Sequence, residues 1–175
     1  MSAEVLGNAG KRLYLIGGVM GIGKTTVGKL LNKKLADCVF LDGDWCWFAD
    51  PFTVTGETRK MVTDNICYLL NNFLACYAYR NIVFCWVMHQ QSIIDCIVSR
   101  LDLNGCELRN VSLVCSEAAL RERLEADISA GIRTRDVVER SLARLPLYRD
   151  LHTVKIDVTE LSPEETAERI IGEIL

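Results

Sequence analysis

The 175-residue sequence contains no uninterrupted apolar run of about eighteen residues, the length a membrane-spanning helix needs. It has no basic excess, since 20 Lys+Arg face 23 Asp+Glu and leave a formal net charge of −3. Nucleic-acid binders usually carry a basic surplus, so no nucleic-acid partner is expected. The basic residues between 121 and 149 alternate with acidic ones and read as a solvated helical face. No CxxC pair occurs, and the only histidines are His89 and His152. That argues against a zinc ribbon, a thioredoxin-like centre or a Cys/His metal cluster. The opening MSAEVLGNAGKR lacks a basic stretch followed by an apolar one, so no secretory signal is expected. There is no internal repeat, low-complexity tract or linker. The expectation is one domain over 1–175, cytoplasmic and not membrane-bound.

What is abundant is cysteine, eight in all, no two closer than eight residues. Several lie inside apolar runs, such as Cys85 in IVFCW and Cys115 in VSLVC. Small buried hydrophobes in a reducing cytosol are the expected role. Half the residues are apolar and a quarter charged, which suits a globular chain.

Short apolar runs alternate with helical stretches. Strands are expected at Arg12–Gly17, Cys38–Leu41, Asn81–Val87, Asn110–Cys115 and Thr153–Asp157. Helices are expected at Lys24–Ala36, Glu57–Tyr79 and Gln90–Leu103, the last ended by Asn104-Gly105. Another starts at Ser116 and stops near Gly131, carrying Leu120, Leu124 and Ile128. Asp136 and Glu139 suggest a capping box for a helix carrying Val138, Leu142 and Leu145, and Ser162-Pro163-Glu164-Glu165 opens a last helix to Leu175. The stretch from Trp45 to Gly56 reads as a loop or broken helix. Five apolar strands alternating with helices indicate an α/β fold with a mainly parallel sheet and helices on both faces.

Gly18-Val19-Met20-Gly21-Ile22-Gly23-Lys24-Thr25 fills every fixed position of G-x-x-x-x-G-K-[ST] between a strand and a helix. Glycines allow close backbone approach, and the loop N–H groups and the helix N-terminus then face phosphate oxygens. Lys24 is suited to the β- and γ-phosphates, and Thr25 offers a hydroxyl to Mg²⁺. Residues 18–25, with Thr26, are the expected ATP contacts. The second strand ends in Asp42-Gly43-Asp44. Ligands of open α/β sheets bind beyond the carboxyl ends of strands. One carboxylate there can hold the metal and another can accept the proton of an attacking hydroxyl. A strand-to-helix turn capped by aspartate is the plainer alternative.

FLDGD at 40–44, after GxxxxGKT and before a long helix, resembles the P-loop kinases of small molecules: shikimate kinase, gluconate kinase, adenylylsulfate kinase and chloramphenicol phosphotransferase. The resemblance implies a P-loop NTPase fold with a five-stranded sheet in the order 2-3-1-4-5. It implies Asp44 as base or acceptor-binding group and Asp42 as partner of the metal. Residues 130–136 (AGIRTRD) fall where such kinases carry a small lid, with Arg133 and Arg135 as cations for the transferred phosphoryl group. Asp157-Val158-Thr159 resembles the loop that frames adenine, which brings Asp157 to the nucleotide. Where shikimate kinases have a glycine-rich triplet, this chain has Cys85-Trp86-Val87-Met88-His89-Gln90-Gln91, and Arg59 is the clear arginine after the DGD segment. Both departures argue against shikimate as the acceptor. Trp45, Trp47, Phe48, Phe52 and Trp86 suggest aromatic walls and a flat or apolar acceptor, with His89 as a further contact.

The expected activity is transfer of the γ-phosphate of ATP, with Mg²⁺, to a hydroxyl of a small molecule. A nucleoside or nucleotide kinase would read almost the same. A P-loop ATPase or nucleotide-dependent regulator is a different class. Against it stand the absence of an NKxD signature and of an acidic residue ending the third strand.

Overall fold

A computed structural model describes residues 8–172. The first seven residues of the segment read for a leader, and residues 173–175 of the last helix, lie outside that range. The chain runs β1 (Arg12–Gly17), α1 (Lys24–Lys34), β2 (Cys38–Asp42), α2 (Gly56–Ala75), β3 (Asn81–Trp86), α3 (Gln91–Val98), β4 (Glu107–Val114), α4 (Glu117–Ser129), α5 (Asp136–Arg144), β5 (Val154–Asp157) and α6 (Pro163–Gly172). Single 3₁₀ turns occupy Gly43–Cys46 and Leu145–Tyr148. The strands form one parallel sheet in the order β2-β3-β1-β4-β5, as the resemblance implied.

The central strands are apolar for a physical reason. Leu13–Gly17 of β1 and Asn81–Cys85 of β3 are buried at every position, because helices cover both faces of the sheet. Their side chains join Leu31 of α1, Ile66 and Leu70 of α2, Leu120 and Leu124 of α4 and Ile170 of α6 in one core. The register aligns the strand ends that matter: Gly17 lies opposite Trp86, and Asp42 opposite Cys85. The motif loop, the DGD turn and the indole of Trp86 therefore leave the sheet side by side.

The sequence reading of the caps holds in two places and fails in two. Ser116 accepts the Ala119 N–H at 3.2 Å. Ser162 and Glu165 form a reciprocal box, with Glu165 N–H on Ser162 Oγ and Ser162 N–H on Glu165 Oε2. The Asp136/Glu139 box does not form. Arg135 stands at the N-cap in helical conformation, and Asp136 is already the first helical residue, paired with the Thr134 hydroxyl and with Arg140. Val137 and Ser141 are the buried residues of α5, Val138 and Leu142 pack half-buried against the core, and Leu145, which opens the following 3₁₀ turn, is buried. The helix expected over 90–103 stops at Val98. Asn104 (φ 38°) and Gly105 (φ 87°) instead form the left-handed turn into β4, which starts at Glu107, three residues earlier than expected.

Candidate active site

The loop from Gly18 to Thr25 has the shape of an anion cradle. A Cβ on Gly18 would sit 2.8 Å from Ile22 Cγ2, so the backbone passes too close there for a side chain. Gly23 precedes α1 with φ 103°, a left-handed conformation that directs the chain into the helix and that other residues resist. Val19 and Ile22 point into the core, 0 % and 3 % exposed, so only their backbone faces the cradle. Thr26 is exposed on the first turn of α1. The Lys24 ammonium donates to the Val19 carbonyl at 2.9 Å, folding the side chain over the loop. Burial holds its pKa below the ordinary lysine value, while the nearby Asp44 and Asp42 act in the opposite sense.

Asp42 is 5 % exposed, and both of its carboxylate oxygens accept hydrogen bonds. The Thr25 hydroxyl donates to Oδ2 at 2.6 Å, and the Asp44 N–H donates to Oδ1 at 3.1 Å. The Cys85 thiol, opposite it in the sheet, also reaches it, and burial pushes that thiol's pKa far up, so it stays protonated. Asp42 thus caps the 3₁₀ turn, the plainer of the two expectations, and also ties the loop threonine.

Asp44 is placed differently. It lies at the mouth of the cradle, with Lys24 and Arg133 near enough to act on its charge. Desolvation by the surrounding protein, then the neighbouring Asp42 charge, raises its pKa above the usual carboxylate value, while Lys24 and a hydrogen bond from Trp86 pull it down. Trp86 also packs flat on the turn. A Cβ on Gly43 would lie 2.5 Å from its Cγ, so only glycine fits between the two aspartates.

The segment expected as a lid, residues 130–136, also approaches the loop. Arg133 donates from Nε to Asp127 Oδ2 of α4 at 2.8 Å and remains partly exposed. A cavity of about 320 Å³ lies between Met20 of the loop and Gly131, Ile132, Arg133, Thr134, Val137 and Arg140. Arg135, by contrast, is an exposed residue at the start of α5. Asp157 is held in its own turn, accepting Thr159 N–H at 2.8 Å and Thr159 Oγ1–H at 2.6 Å, and these bonds lower its pKa. Arg123 of α4 donates to the Val158 carbonyl at 2.6 Å and so braces the same loop.

The remaining acceptor-side candidates are more dispersed. Trp45 meets Phe40 edge-on at 5.3 Å yet is 58 % exposed. Arg59 is exposed in the first turn of α2. His89 has a buried Nδ1 with no hydrogen-bond partner among the described residues; burial and the nearby Arg144 charge lower its pKa.

Four contributors escaped the sequence reading. Asp127 holds Arg133, Arg123 braces the Asp157 loop, and Arg144 is half buried with no carboxylate partner among the described residues. Tyr148 is fully buried, and its hydroxyl lies near the Gly18 and Met88 backbone without completing a hydrogen bond to either. Asp127 stands six residues before Arg133, a separation that no helical spacing flags. Arg144 and Tyr148 reach the site only because the 3₁₀ turn at Leu145–Tyr148 packs under the motif loop.

A family model described as an AAA domain matches residues 15–143, most of the chain and all of the groups just described except part of the motif's flanking strand, Arg144, Tyr148 and the Asp157 loop. The chain belongs to this AAA domain family. Within that family frame it is similar to a shikimate kinase of Bacillus cytotoxicus, 26 % identical over 172 residues, covering 93 % of this chain and 98 % of that one. Its fold is that of the tunicamycin resistance protein of Deinococcus radiodurans (TM-score 0.72, 18 % identity, 94 % of this chain and 95 % of that one). It is likewise that of a gluconokinase from Sinorhizobium meliloti (TM-score 0.69, 20 % identity, 94 % and 91 %). The AAA domain chain therefore has a P-loop kinase fold, in keeping with the resemblance drawn from GxxxxGKT and FLDGD.

Proposed function

We propose that this AAA domain protein is an ATP-dependent phosphotransferase that moves the γ-phosphoryl group of ATP to a hydroxyl of a small-molecule acceptor. One observation carries the reading. Asp42 is consumed by Thr25 and by the turn, whereas Asp44, two residues on, keeps an accessible carboxylate beside Lys24. A structural turn needs the first aspartate and has no use for the second.

The residues present fit a nucleotide and its metal. The glycine cradle leaves room for phosphate oxygens, and Thr25 with Asp42 forms a hard oxygen donor pair. No group of three or more His, Cys, Asp or Glu side chains suited to a metal occurs among the described residues. Mg²⁺ characteristically takes its other ligands from substrate phosphates and water, so a two-residue site suits it. When bound, Mg²⁺ supplies charge neutralisation to the β- and γ-phosphates.

In the proposed reaction Lys24 leaves the Val19 carbonyl for the phosphates, and the loop N–H groups hold them. Asp44 accepts the proton of the acceptor hydroxyl as its oxygen bonds to the γ-phosphorus, and the bond from that phosphorus to the bridging oxygen of ADP breaks. Arg133, carried by the 130–136 lid, offsets charge on the transferred group, with Arg135 as a second cation on closure. Asp157 and its loop flank the base of the nucleotide, and His89, Trp45, Arg59 and Trp86 surround the acceptor. The eight unpaired thiols suit a reducing cytosol as its setting.

The test separates binding from transfer. Lys24→Ala is expected to lose ATP binding or transfer, and Asp44→Asn to retain ATP binding measured by calorimetry while losing transfer. Unchanged transfer in Asp44→Asn would remove the proposed base.

A further inference from the structure

The segment that follows Asp44 has a surface no phosphate site requires. Ten large apolar side chains are substantially exposed among the described residues, and five of them fall between positions 45 and 61: Trp45, Phe48, Phe52, Val54 and Met61. Phe48 is 100 % exposed, Phe52 62 % and Trp45 58 %. The aromatics that the sequence groups together have separated into two kinds. Trp86 is spent on Gly43 and Asp44, and Trp47 packs at a tilt on Phe52, centroids 4.4 Å apart, and against the core. Trp45, Phe48 and Phe52 keep free faces. Exposed aromatics cluster where something apolar is to be covered, because each leaves a large area in contact with water.

Position says what covers them. The strip begins at the residue that follows Asp44 in the chain, where the proposed reaction puts the acceptor hydroxyl. Polar metabolites such as sugar acids are held by dense hydrogen bonding, which bare ring faces do not supply.

Resting on the phosphotransferase reading, we propose that the acceptor is an amphiphile: a hydroxyl at Asp44, joined to an extended ring system or hydrocarbon body that lies along Trp45, Phe48, Phe52, Val54 and Met61. The apolar body supplies the binding free energy, and the transfer is the one balanced above, with the alcohol becoming a phosphate monoester and ATP becoming ADP.

The experiment uses the whole chain and two alcohols, 2-naphthaleneethanol as the apolar probe and glycerol as the polar one. Trp45 belongs to this strip and Trp47 packs on its Phe52, so tryptophan fluorescence reports occupancy without requiring turnover. The naphthyl alcohol is expected to quench the fluorescence and to be phosphorylated with a higher kcat/KM than glycerol. Phe48→Ser, at a fully exposed position that leaves folding intact, is expected to weaken naphthyl binding, and Phe48→Ser/Phe52→Ser to weaken it by about tenfold or more, the scale of a lost phenyl contact. ATP affinity stays unchanged in both. Quenching that is lost in the double variant, with no transfer to any alcohol, upholds the strip and sinks the phosphotransferase. Transfer to glycerol with no naphthyl binding does the reverse. A dimer in sedimentation that Phe48→Ser disperses assigns the strip to a second copy of the chain and overturns the proposal.

Discussion

The two walls of the site are built on opposite plans. On the nucleotide wall nearly every polar group has a partner: Lys24 on Val19, Thr25 and the Asp44 N–H on Asp42, Arg133 on Asp127, Asp157 on Thr159. On the acceptor wall the polar groups are left over. The Asp44 carboxylate takes a hydrogen bond from an indole and has Lys24 nearby, His89 Nδ1 has no partner among the described residues, and Phe48 is bare to solvent. Preorganised donors suit a ligand that never varies, because reorientation costs nothing at the moment of reaction. Unspent groups suit a ligand that brings its own partners. In the proposed reaction the nucleotide wall carries the common chemistry, and the acceptor wall carries what distinguishes this chain.

The largest effect should come from the acceptor wall. Asp44→Asn is expected to lower kcat by about 10²–10⁴-fold, the range for removing a general base, with ATP affinity retained. Equal losses in ATP affinity and in kcat would dissolve the distinction, since Asp44 would then serve both walls. Next is the lid. Arg133→Gln is expected to lower kcat by about 10²-fold, the lower end for losing one charge-stabilising donor at a transition state. Asp127→Asn should cost less than about tenfold, because Asp127 only positions the guanidinium. Steady-state kinetics of the pair and of the double variant checks the order. Additive losses would show that Asp127 does not act through Arg133.

Smaller still are the effects on stability where the two walls meet. Gly43→Ala drives a methyl into Trp86 and is expected to cost about 1–3 kcal/mol, the usual penalty for overpacking, and to shift tryptophan fluorescence. Gly23→Ala meets nothing within 4 Å but must hold φ 103°, for about 1–2 kcal/mol. Its fluorescence should remain that of the parent. Thermal denaturation with emission spectra separates strain in the loop from displacement of the indole.

How much was legible beforehand follows the same division. The motif loop, all five strands and the Ser162/Glu165 box were readable because each rests on local rules: glycine spacing, apolar runs, a cap three residues from its partner. The pairing of Thr25 with Asp42 follows from strand order, which periodicity does not encode and only the resemblance implied. The failures share a cause. Asp136 looks like a cap, but Arg135 already has helical φ and ψ, and the Thr134 hydroxyl takes up its carboxylate. Asn104-Gly105 does mark a left-handed turn, yet it serves β4, since α3 had ended at Val98. On the acceptor wall, composition could gather five aromatics but not sort them. Which indole packs on Gly43 and which ring stays in water is decided by the register that sets Trp86 opposite Gly17.

The smallest expected effect turns on the sign of the Asp44 shift. Its pKa is raised in the folded protein, chiefly by desolvation and then by Asp42. A raised pKa means that folding favours the protonated carboxyl. Its contribution to stability is full below the unfolded-state pKa and is lost as pH rises through the folded value. At neutral pH the ionised carboxylate is therefore a burden on the fold. Asp44→Asn is expected to raise Tm slightly at neutral pH, with the gain vanishing in acid. In the parent the same titration should give kcat an acid limb above the ordinary carboxylate range, since the base works only when ionised. Scanning Tm and kcat of parent and variant across pH checks both. A variant less stable than the parent at neutral pH would mean that Asp44 is a structural partner like Asp42. A rise in Tm beside a collapse in kcat is the mark of a group kept for reaction at the expense of stability.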